Sequence, residues 1–139
     1  MKNINRNLSI LKFILRVSAI IEVVYFTMSQ WFFHEYFFNS LGVYGNELRS
    51  TFVISQIQLI GAETLGIAML TWIAAGDPLK YRAIIQALLF TGCIVIAIFL
   101  YNVVTARVPA QFIVNAILIG SQVLIVAILY PWNEKIKVR

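Results

Sequence analysis

Charge is what this sequence has least of: Asp, Glu, Lys and Arg together make up 12% of the 139 residues, against 60% hydrophobic residues. Soluble domains carry about 25% charged residues, so this chain has too little polar surface to cover a globule, and water is not its main solvent. Cysteine is almost absent as well. Cys93, the one thiol, has no second thiol for a disulfide or a metal site, and its place inside an apolar run reads as a small packing residue. His34 is the one histidine. It stands beside Glu35, so a zinc site there would lack nitrogen ligands. No phosphate loop, nucleophile elbow or zinc-binding helix motif occurs. The net charge of +5 does not point to nucleic acid, because the basic residues flank apolar runs and form no patch on a soluble face.

Long hydrophobic runs dominate what remains. About 20 apolar residues cross a hydrocarbon core, and four runs reach that length, predicting spans over residues 10–33, 51–75, 82–105 and 109–131 of a single transmembrane domain covering 1–139. The third and fourth runs are uncharged from Ala83 to Ala106 and from Val108 to Asn133; Glu22 interrupts the first between Val17 and Phe33, with Lys12 and Arg16 before it, and Glu63 interrupts the second. A cleaved signal peptide does not fit the first run, because a carboxylate splits its core and no small-residue cleavage site follows.

Nine Lys or Arg (Lys2, Arg6, Lys12, Arg16, Lys80, Arg82, Lys135, Lys137, Arg139) flank the runs on one side, and only Arg49 and Arg107 stand on the other. The positive-inside rule then places both termini of a multi-pass membrane protein in the cytoplasm. Trp31 and Tyr101 are the expected outer interface anchors, and Trp72, Tyr81, Tyr130 and Trp132 the inner ones. Gly76-Asp77-Pro78 and Arg107-Val108-Pro109 read as tight connections, making the second, third and fourth spans antiparallel neighbours. The expected fold is an all-α integral membrane four-helix bundle, up and down, with the aromatic segment His34 to Ser50 lying on the outer surface or folding over the bundle mouth.

Polar side chains at membrane depth turn inward, and their spacing predicts which faces meet. Ser18, Glu22, Tyr25 and Ser29 form a stripe on the first span. Gln56, Glu63 and Gly66 share a side of the second, and Gln111, Asn115, Leu118 and Gln122 share one on the fourth. On the third, Gln86, Cys93, Ala97 and Tyr101 align more loosely, with Asn102 near the outer end. Glu22 and Glu63 fall near the middle of their spans, so the two carboxyls are expected to meet in the interior, at least one of them carrying its proton. The residues predicted to bind a ligand are Glu22, Glu63, Tyr25, Gln56, Asn102 and Asn115, around a polar cavity open toward the outer leaflet. The plainer alternative is that the glutamates are neutral and hydrogen-bond across the bundle, at about 0.6 kcal/mol per contact.

Three stretches carry a family resemblance: Leu15-Arg16-Val17, Gly61-Ala62-Glu63-Thr64-Leu65-Gly66, and Trp72 through Asp77-Pro78 to Arg82. In these, and in its layout, the chain resembles the DoxX-like group of small bacterial four-span membrane proteins. The resemblance implies the four-span fold, a place in a bacterial inner membrane and, through members that act with quinone-linked redox systems, a link to such chemistry.

The expected function is binding of a small molecule, amphiphile or lipid within the membrane, as a homo-oligomer or as an accessory subunit of a larger membrane complex. A membrane enzyme acting on a lipid or quinone would draw its acid and base from the glutamate pair. A structural subunit would instead use Ala62-x-x-x-Gly66 and Ala116-x-x-x-Gly120 to dock partner helices.

Overall fold

The computed structural model describes residues 2–40, 51–105 and 113–132, and among them there are helices and no strand. Helix α1 (Lys2–Ile21) passes without a break through a π-helical segment (Glu22–Thr27) into α2 (Met28–Phe32), making one rod. Phe33, at φ −128° and ψ 31°, leaves the helical conformation, and the short α3 (His34–Ser40) follows. The remaining helices are α4 (Thr51–Gly76), α5 (Arg82–Val104) and α6 (Ile113–Leu129). The segment expected to cover the outer end therefore begins as a helix, and its remainder, 41–50, lies outside the described residues, as does the turn at Arg107 to Pro109.

Among the described residues, two helices, Phe52–Gly76 and Arg82–Val104, are long and apolar enough to cross a membrane. The first rod is divided by the π segment and carries Lys12, Arg16 and Glu22, and the described part of α6 has 17 residues. Between α4 and α5, Pro78 disfavours helical backbone at Asp77. Asp77 then caps the turn, its side chain accepting from the Lys80 N–H at 3.2 Å and its carbonyl from the Tyr81 N–H at 3.0 Å.

Direction follows from what packs together. Leu11 and Leu15 from α1, Ala74 and Ala75 from the end of α4, Ile85 from the start of α5, and Val126 with Tyr130 from the end of α6 form one buried cluster. Successive rods therefore run antiparallel. The first rod packs most closely on α4, and α5 on α6, while contact between the two pairs is looser. The same end carries aromatic and cationic groups: Tyr130 and Trp132 meet edge to face at 4.9 Å, Arg82 Nη2 donates to the Trp132 carbonyl at 3.2 Å, and Lys80 Nζ lies 5.2 Å from the Tyr81 ring centre.

Candidate functional site

Where the two helix pairs meet, a cavity of about 180 Å³ remains. All four rods line it. Its walls are apolar, including Leu15, Phe26, Ile67, Leu88, Ile119 and Val123, except at Glu22, Thr64, Thr71, Thr91 and Gln122. The interior is thus an apolar pocket with one acidic corner, where the stripes predict a broadly polar cavity. Among the described residues, no lysine or arginine reaches the lining.

The acidic corner is Glu22, the first residue of the π segment. Gln122 Nε2 lies 3.4 Å from its Oε1, and Thr71 Oγ1 lies 3.4 Å from its Oε2. Both contacts are long for hydrogen bonds. Thr71 has a single hydroxyl proton, and the Ile67 carbonyl at 2.8 Å is its better acceptor. Thr71 Oγ1 therefore donates chiefly along its own helix and only weakly to Glu22 Oε2, while Gln122 Nε2 donates to Oε1. Nearby, Thr27 and Thr64 bond through their hydroxyls at 3.1 Å, and Thr64 also bonds back to the Gly61 carbonyl at 2.9 Å.

The structure does not bring Glu22 and Glu63 together. Glu63 is exposed on the outer side of α4, about 100° round the helix from Thr64, which lines the cavity. Gln56 is exposed on the same side of α4, and Tyr25 is exposed on the first rod. Asn102 is half-buried toward the end of α5 and does not line the cavity. Asn115 is buried on α6 outside the lining, its Oδ1 unpartnered among the described residues, like Gln30 Oε1 and His34 Nδ1. The aligned residues of α5, Gln86, Cys93, Ala97 and Tyr101, all face outward, and Cys93 is exposed where the sequence predicts a packing role.

The π segment explains the first-rod displacement. One extra residue in a turn advances the register by one, about 100° of rotation at 3.6 residues per turn. Before it, the inward face follows the predicted spacing through Leu15, Ser18 and Glu22; beyond it, Phe26, Thr27 and Gln30 turn inward in place of Tyr25 and Ser29.

Thr64 and Thr71 were not legible as site residues. Their hydroxyls satisfy carbonyls of their own helix, so they pass for β-branched packing groups. Their seven-residue spacing was the available signal. Gln122 does stand in a predicted stripe, on the face it shares with Gln111, Asn115 and Leu118.

Among the described residues, no three of His, Cys, Asp and Glu come together as a metal site would require. No protein-family model, characterised protein or solved structure matches the chain. The site's own geometry therefore carries the functional argument.

Proposed function

We propose that this chain is a four-span membrane protein with both termini cytoplasmic, laid out like the DoxX-like group, that binds a small molecule or part of a lipid beneath Glu22. Exposure supports the membrane reading. A core helix of a soluble protein is mostly buried, yet only 6% of the most apolar window of α5 and 28% of that of α4 lie inside the bundle. Large apolar side chains cover the outside of every rod, Phe13, Phe52, Phe90 and Ile128 among them, each over 60% exposed. Such a surface belongs against lipid.

The observation that carries the ligand reading is the Glu22 carboxyl, held among the described residues by two 3.4 Å contacts at the edge of an apolar void. An apolar cavity of about 150 Å³ admits benzene, so this one suits an apolar body of roughly six to eight non-hydrogen atoms bearing one hydrogen-bonding group. An anion would find no cation there. The ligand enters whole or as the end of a longer lipid.

Purification in mild detergent with mass spectrometry of co-purifying lipids identifies the occupant. At a hundred times its Kd, that occupant should stabilise the protein by about 2.7 kcal/mol. Glu22→Gln and Thr71→Val are expected to remove most of this gain while preserving the helical content. A gain equal to wild type in both variants removes Glu22 from the site.

A further inference from the structure

Helix α4 has a second polar face that the cavity does not use. Gln56, Leu59, Glu63, Gly66 and Leu70 are all exposed, and they follow one another at intervals of three, four, three and four. Such alternation is the seam of a helix pair, and here it points out of the bundle. Glu63 stands at the middle of Thr51–Gly76, with no hydrogen bond or ion pair to its carboxyl among the described residues. If α4 crosses a bilayer, as proposed above, that carboxyl would face lipid at mid-depth, one of the least favourable placements available to a side chain.

We infer that this seam is an interface between two copies of the chain, related by a two-fold axis along the membrane normal, with each Glu63 facing its counterpart. The strong cationic bias gives every copy the same orientation, so two copies meet in parallel. On a parallel two-fold seam each residue meets itself at equal depth. The polar residues of this seam suit that arrangement. A carboxylic acid offers one donor and one acceptor, and a primary amide offers both, so Glu63 and Gln56 each close a reciprocal pair without a third group. Gly66, with nothing within 4 Å of a Cβ built on it, lets the two backbones approach closely, while Leu59 and Leu70 fill the seam on either side. The inference rests on the membrane reading and not on the ligand reading.

Cysteine cross-linking of the full chain in native membranes tests it, with Cys93→Ala as background so that the introduced cysteine is the one thiol, and with Glu63 left in place. Leu59→Cys and Leu70→Cys should give disulfide-linked dimers on mild oxidation, and Phe90→Cys, exposed on α5, should not. In vesicles, Glu63→Leu should weaken self-association at least tenfold by energy transfer on lipid dilution, with Glu63→Gln within about threefold of wild type. Monomers at all three cysteine positions, equal cross-linking at Phe90, or an unchanged Glu63→Leu would overturn the interface. Recovery of the protein in the soluble fraction would overturn the membrane reading itself, and fractionation distinguishes that failure from the others.

Discussion

At the scale of single residues, two glycines set how closely the rods approach. A Cβ on Gly61 would stand 2.5 Å from the Trp31 ring, whose indole nitrogen donates to the Gln58 carbonyl at 2.9 Å, and a Cβ on Gly92 would overlap Val123 Cγ2. Trp31 can swing aside at the loss of that hydrogen bond, but Val123 is branched at Cβ and stiff. Gly92→Ala should therefore be the more damaging, forcing α5 and α6 apart at about 1–3 kcal/mol, with Gly61→Ala near 1 kcal/mol. Thermal unfolding in detergent ranks the two, and a Gly92→Ala protein as stable as wild type would contradict the packing described. Neither glycine was legible as a contact in the sequence, since what a missing side chain makes room for depends on the neighbouring helix.

At the scale of elements, the π segment decides which residues of the first rod face the cavity. Deleting Val24, an exposed residue inside it, removes the extra residue. That leaves Leu11 and Leu15 before it, and Thr27 and Gln30 after it, on a common inward face. Deleting Phe13, equally exposed but in regular helix, rotates one part of the rod against the other by about 100°. The Val24 deletion should fold with a yield near wild type while weakening ligand binding, because the wide turn holding Glu22 is gone; the Phe13 deletion should not fold. Equal loss of folded protein in both would refute the register account. No proline or glycine marks this segment in the sequence, and a pattern of period 3.6 carried through it predicts Tyr25 and Ser29 where the structure has Phe26, Thr27 and Gln30.

At the scale of the whole molecule, labelling tests the orientation. If both termini are cytoplasmic, as proposed, the α4–α5 turn lies on the cytoplasmic face, so Lys80→Cys in a Cys93→Ala background should react with an impermeant maleimide only after cells are opened. Labelling in intact cells would invert the topology. Helical class, an apolar exterior and the extents of α4 and α5 were fixed by composition and run length, because each reflects an average over many residues that no single neighbour alters. The polar spacing also found Glu22, on an unbroken stretch of helix leading from the core. Tertiary structure alone decided that Glu63 turns outward, that the cavity is mostly apolar, and that Thr64 and Thr71 from α4 and Gln122 from α6 share it with Glu22. Spacing within one helix tells which residues share a face. Which face looks inward depends on how four helices pack together, and here one additional residue in a single turn was enough to change part of the answer.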